Sequence, residues 1–213
     1  MRLKFSSHQA LFVASIEGIA VSSAVIVFLV FGVPVQGFSV KLSETIQNPV
    51  PPPVVIGALV DSSAVPDLPV RIVIPRINVA ADFEFVGLTD DGAMDVPKDP
   101  ANVAWYNPGP RPGEAGSAVI AGHYGRWKNG KSSVFDNLHI LRPGDKIYVT
   151  DDAGATIVFT VREARRYDPD ADAGDVFGSS DGKAHLNLVT CEGVWDESTQ
   201  EYSKRLVIFA DKH

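Results

Sequence analysis

Apolar residues run almost unbroken from Ile19 to Val35, and no charged side chain stands between Gly18 and Val40. A helix of roughly 17–25 such residues spans a bilayer at 1.5 Å per residue. Residues 18–35 are therefore expected to form a transmembrane anchor. Arg2 and Lys4 precede the run, so the positive-inside bias places residues 1–17 in the cytoplasm. No Ala-x-Ala-like site follows Val35, as a cleaved secretory signal would require. A helix apolar on every side is also unusual as a buried element of a soluble core. The pattern changes at Gln36. Residues 36–69 contain Asn48-Pro49-Val50-Pro51-Pro52-Pro53 and Val65-Pro66-Asp67-Leu68-Pro69, a composition that adopts extended polyproline geometry and acts as a semi-rigid spacer. They are expected to form an extracellular linker.

From Val70 to His213 the apolar runs shorten and turn residues separate them. Val70–Ile74 is rich in β-branched residues and stops at Pro75, and Val79–Val86 alternates loosely before Gly87-Leu88-Thr89-Asp90-Asp91-Gly92. Ser117–Ala121 is a short apolar run. Pro143-Gly144-Asp145 turns into Lys146–Thr150, and Asp151-Asp152-Ala153-Gly154 separates that run from Thr156–Val161, predicting a hairpin. Ala184–Cys191 and Arg205–Ala210 complete the set. Short strands at regular spacing with turns between them predict a mainly β domain over 70–213, a closed or nearly closed barrel.

Composition narrows the function classes. The chain has 213 residues, 45% hydrophobic and 21% charged, with a formal net charge of −7. No Lys/Arg cluster of the kind that binds nucleic-acid phosphates is present. The single cysteine, Cys191, can form neither an intrachain disulfide nor a zinc site built on Cys pairs. The acidic stretch Asp168-Pro169-Asp170-Ala171-Asp172-Ala173-Gly174-Asp175 lacks the EF-hand spacing, with Ala173 where glycine is needed and Ser179 where the bidentate Glu belongs.

Candidate chemistry centres on that thiol. Along His185-Leu186-Asn187-Leu188-Val189-Thr190-Cys191, side chains alternate faces. His185, Asn187, Val189 and Cys191 share one face, and Gly193 suggests that the strand ends near the cysteine. A thiol at a strand end is placed for access, although a free cysteine is also a common small buried hydrophobe. A nucleophilic thiolate needs a base. His8 falls on the cytoplasmic side of the anchor, His213 is the last residue, and His185 lies about 20 Å along the strand at about 3.3 Å per residue. His139 sits in an apolar setting. His123, in Ala121-Gly122-His123-Tyr124-Gly125, stands at a strand-to-loop junction where catalytic groups concentrate. Arg205 opens its strand as a fixed multi-donor cation, suited either to stabilising an oxyanion or to pairing with Glu192 or Glu201.

These residues, taken together, resemble the sortase family. Asn187-Leu188-Val189-Thr190-Cys191 is similar to the sortase signature Thr-Leu-x-Thr-Cys, with Asn187 in place of the first threonine. Ala118–His123 looks like the strand carrying the sortase histidine, and Arg205–Ala210 like the strand that begins with the sortase arginine. Val134-Phe135-Asp136-Asn137-Leu138, followed by Leu141-Arg142-Pro143-Gly144-Asp145-Lys146-Ile147, is similar to the family's Phe-x-x-Leu then Gly-Asp pattern. Ile74-Pro75-Arg76-Ile77 and Ala104-Trp105-Tyr106 also fit. The Gly-Pro-rich segment Asn107–Gly116 looks most like actinobacterial-type or other atypical sortases.

The resemblance implies an eight-stranded sortase barrel acting as a cysteine transpeptidase, with Cys191 as nucleophile, His123 as acid/base and Arg205 as oxyanion stabiliser. No cofactor and no metal ligands are expected from the residues. The implied partners are secreted surface proteins bearing a Leu-Pro-x-Thr-Gly-like sorting signal, and an amine from the cell wall or a pilin lysine. The long acidic segment Arg162–Lys183 corresponds by resemblance to the loop walling the substrate groove. Two other readings fit the same residues. One is a membrane-tethered cysteine peptidase that only hydrolyses, and the other is a non-catalytic β-barrel binding module with an inert Cys191.

Overall fold

The computed structural model describes residues 67–127 and 130–213. The expected anchor at 18–35 and all of the expected linker except residues 67–69 lie outside the described residues. Among those described, no helix is long and apolar enough to cross a bilayer.

Eight strands form the domain: β1 (Pro69–Ile74), β2 (Val79–Val86), β3 (Val103–Tyr106), β4 (Gly116–Gly122), β5 (Lys146–Asp151), β6 (Thr156–Tyr167), β7 (Ala184–Asp196) and β8 (Glu201–Lys212). They close into a barrel in the order β1-β2-β3-β4-β7-β8-β6-β5. The predicted hairpin is present: β5 and β6 pair antiparallel, with Thr150 opposite Thr156. Most neighbours are antiparallel, but β2 and β3, and β4 and β7, run parallel.

Alternation decides what fills the barrel. Ile72 and Ile74 of β1, Ala118 and Ile120 of β4, Leu186 and Leu188 of β7, and Leu206, Ile208 and Ala210 of β8 belong to one buried cluster with Phe135, Ile147 and Phe159. The intervening residues Val119, Ala121, Val189, Val207 and Phe209 face the other way. They form a second buried cluster with Met94, Ala173 and Val176. Val176 lies in α1 (Gly174–Phe177), a short helix between β6 and β7. Strands β4, β7 and β8 are thus buried on both faces, which is why they read as continuous apolar runs rather than as alternating ones.

Three expected boundaries need correction. β6 continues to Tyr167 instead of stopping at Val161, so the connection to β7 is shorter than Arg162–Lys183. β7 does not end near Cys191. It runs on to Asp196 through an irregularity between Glu192 and Trp195, where Gly193 takes φ +91° and a Cβ would stand 2.4 Å from Ser203 Oγ. Arg205 does not open its strand, because β8 starts at Glu201. Cross-strand ion pairs carry these polar extensions: Arg166 Nε donates to Glu192 Oε2 at 2.6 Å and Arg162 Nη1 to Asp211 Oδ1 at 2.8 Å.

Candidate active site

Cys191 and Arg205 come from two neighbouring strands of the barrel and His123 from the residue after the end of a third, β4, all on the same outer face. Cys191 of β7 is the cross-strand partner of Arg205 of β8. In the parallel pair β4–β7 the last register match is Ala121 with Val189; continued by two residues, it aligns His123 with Cys191. At the step between, Thr190 turns inward and its Oγ1 donates to the Gly122 carbonyl at 2.7 Å, in a buried position. That bond fastens the cysteine strand to the histidine strand where the ladder ends. Gly122 is required there for space, since an added Cβ would lie 2.3 Å from the Phe135 ring, and Phe135 is fully buried. Phe135 in turn donates its N–H to the His123 carbonyl at 3.0 Å.

His123, Cys191 and Arg205 line one cavity of about 540 Å³, walled also by Trp127, Trp195 and Tyr202. The imidazole Nε2 lies 2.7 Å from the Pro97 carbonyl oxygen. A carbonyl only accepts, so Nε2 carries the proton and Nδ1 is the nitrogen left to exchange one. Trp127 packs against the ring with centroids 5.0 Å apart. Cys191 is partly exposed. Burial pushes its thiol above the ordinary value; Arg205 works against that shift and Glu201 with it. The resting sulfur is therefore a protonated thiol at neutral pH, and a thiolate forms when a neighbouring base takes the proton.

Arg205 is 1% exposed. Its Nη1 donates to the carbonyls of Tyr202 at 2.7 Å and Lys204 at 3.1 Å, so its own strand fixes the guanidinium plane. Nη2 reaches Glu201 Oε2 only at 3.5 Å, the outer limit of a hydrogen bond. The buried Nε–H has no partner among the described residues. Of the two carboxylates weighed as partners, Glu192 is taken by Arg166, and Glu201 is the one near Arg205.

His139 and His185 lie elsewhere. His139 is exposed in a short 3-10 turn, Leu138–Ile140. His185 sits at the far end of β7, between Asp181 and Asp211. Two carboxylates of the acidic stretch are engaged in ion pairs: Asp168 pairs with Lys204, and Asp175 accepts from Arg165 and Tyr167. Among the described residues no group of three or more His, Cys, Asp or Glu side chains is placed to hold a metal.

Sequence reasoning missed the aromatic wall. Trp195 and Tyr202 face each other across the extended β7–β8 hairpin, with centroids 5.1 Å apart, and Tyr202 meets Tyr124 at 5.3 Å. Gly125, at φ +88°, leaves room for the Tyr202 hydroxyl, which would lie 2.3 Å from a Cβ there.

Comparison with known proteins agrees with this architecture. The family model for the sortase domain matches residues 72–213. Among solved structures, the chain is similar to sortase C-1 from Actinomyces oris, with a TM-score of 0.53 and 24% identity over 67% of this chain and 72% of that one. It is also similar to Streptococcus agalactiae sortase C1, with a TM-score of 0.53 and 23% identity over 68% of this chain and 66% of that one. A lid mutant of sortase A from Corynebacterium diphtheriae gives a TM-score of 0.54 and 21% identity over 72% and 74%. No curated sequence matches the chain. Likeness at such identity establishes the shared barrel fold, and the domain match over 72–213 establishes the family: this chain belongs to the sortases.

Proposed function

We propose that the chain is a membrane-anchored sortase-type cysteine transpeptidase, with Cys191 as nucleophile, His123 as acid/base and Arg205 as oxyanion stabiliser. The observation that carries this reading is the convergence of the only thiol, an imidazole and a buried guanidinium on one cavity, from β7, the end of β4 and β8. Family membership supports it, since sortases are cysteine transpeptidases typically associated with the cell surface.

In the first half-reaction the Cys191 proton passes to His123 Nδ1, and the thiolate attacks the threonine carbonyl carbon of a Leu-Pro-x-Thr-Gly-like signal. The carbonyl oxygen gains negative charge. The Arg205 guanidinium has donor capacity left at Nε and Nη2, and it stays charged at any working pH. Collapse of the tetrahedral species breaks the C–N bond, and the imidazolium protonates the departing amine. The resulting thioester keeps its acylating energy. In the second half-reaction an incoming amine from a wall peptide or a pilin lysine gives its proton to His123 and attacks the thioester. Cys191 leaves as thiolate and regains its proton. The segment at 18–35 would hold this domain at the outer membrane surface, with residues 36–69 as spacer.

The test is to incubate the full chain, in detergent, with a sorting-signal peptide in the presence and absence of an amine nucleophile. The expected result is an amide product whose yield rises with amine concentration. Release of the free acid at the same rate whatever the amine would establish the hydrolase reading, and no cleavage with any signal variant would favour the binding module.

A further inference from the structure

His123 is held by a backbone carbonyl, so whatever fixes that carbonyl fixes the imidazole. Pro97, which supplies it, is buried and lies in the connection between β2 and β3. The next residues fold back onto β2, where the Glu84 carboxylate gathers them. Its Oε2 accepts the Lys98 N–H at 2.8 Å, and its Oε1 accepts the Asp99 N–H at 3.1 Å and the Asn102 Nδ2–H at 3.1 Å. Glu84 belongs to the barrel wall, paired with Ala104 of β3. A rigid strand therefore grips, through the Lys98 N–H, the same peptide unit whose carbonyl holds the histidine, and through the Asp99 N–H the unit after it. The segment is also tied to the far side of the loop after β4, because the Pro100 carbonyl accepts the Val134 N–H at 2.8 Å.

We propose that Glu84 is a positioning residue: it fixes the Pro97 carbonyl so that His123 keeps its proton on Nε2 and presents Nδ1 to the reacting thiol. The proposal rests on the catalytic role of His123 proposed above. Removing the carboxylate leaves two backbone N–H groups that water can serve on this exposed segment, so the loop loosens while the barrel stays closed. The imidazole then loses its fixed acceptor and samples both neutral tautomers. Partial burial pushes the Glu84 carboxyl up, but its three hydrogen bonds and the neighbouring Lys98 outweigh this and hold it below the ordinary carboxylate range. The grip is thus ionised throughout neutral pH.

The experiment compares the full wild-type chain with Glu84→Ala and Glu84→Gln, recording imidazole 15N spectra together with kcat and KM for the sorting-signal peptide. The wild type should show His123 as the Nε2–H tautomer. Glu84→Ala should mix the tautomers and lower kcat by about 10- to 100-fold with KM within twofold, the scale on which a misplaced catalytic group acts. Glu84→Gln keeps one side-chain oxygen as acceptor and should recover part of both readouts. If Glu84→Ala fails to fold, the Glu84→Gln spectrum decides, because a purely structural residue would leave the His123 tautomer unmixed. An unmixed tautomer with unchanged kcat in either folded variant overturns the proposal. A wild-type chain that forms no acyl-enzyme overturns the transpeptidase reading instead, and the tautomer comparison still decides what Glu84 does.

Discussion

The outer face of β7 carries a polar cluster with a histidine at each end, and the two are built on opposite plans. At the start of the strand, both ring nitrogens of His185 meet carboxylates, Nδ1 at 2.7 Å from Asp211 and Nε2 at 3.0 Å from Asp181. Asp211 also accepts from Arg162, and Asp181 from Ser179 and the Lys183 N–H. His185 has no ring nitrogen left over. Beyond the middle of the strand, and among the described residues, His123 just after neighbouring β4 binds a carbonyl through one nitrogen, Cys191 faces a cavity, and Arg205 keeps an unpartnered Nε–H. A paired cluster closes structure, whereas a cluster held by backbone with donors and a proton acceptor left over can do chemistry. An unpaired buried polar group costs about 1–3 kcal/mol, and Arg205 bears that cost beside the cavity.

Substitutions at the two ends should separate them. The largest contrast is expected at Arg205→Ala, which should lower kcat for acylation by about 10²–10³-fold, as does loss of an oxyanion donor. Steady-state kinetics measure it, and a loss below tenfold would make Arg205 a structural support within β8 instead. The next contrast is in pH dependence. Because burial raises the Cys191 thiol, the thiolate fraction is small at neutral pH. Alkylation of the folded chain should therefore climb about tenfold per pH unit and level off only above the ordinary thiol value of about 8.5. A plateau below pH 7 would mean a preformed thiolate, contrary to this account.

A smaller effect is expected at Thr190→Val, which deletes the buried bond to Gly122. Chemical denaturation should show a loss of about 1–3 kcal/mol, and acylation should slow as β4 and β7 part at the site. The smallest effect on catalysis is expected at His185→Gln, with kcat and KM within twofold of wild type and a lower midpoint of unfolding. The Asp181 carboxyl is held well below the usual range, chiefly by its bond to His185. Its contribution to stability is thus present at neutral pH and fades as pH falls below about 4. His185→Gln should flatten that acid limb of the stability profile.

The parity of the site was legible in the sequence because two-residue alternation is rigid. Once Leu186 and Leu188 point into the barrel, Cys191 must point out, and the same count through Leu206 and Ile208 places Arg205 on that face. The lengths of β6, β7 and β8 were not legible. Arg162, Arg165, Arg166, Glu192 and Lys204 interrupt the apolar pattern, yet the backbone ladder continues through them, with ion pairs across strands and to the loop alongside it. Gly193 carries the turn signal of a strand end, yet it serves inside the continuing ladder. The aromatic wall depends on that extension, so Trp195 and Tyr202 were lost with it. The contact between Pro97 and His123 joins residues 26 apart through an irregular loop, and no local pattern encodes it.

The division of β7 into a reactive and a structural end is tested most directly by trapping the acyl-enzyme. The full chain is mixed with a sorting-signal peptide, quenched in acid and mapped by mass spectrometry. The account predicts one acyl group, on Cys191, removable by hydroxylamine and absent from Cys191→Ala. Turnover of the peptide with Cys191 unmodified, or continuing in Cys191→Ala, would contradict it.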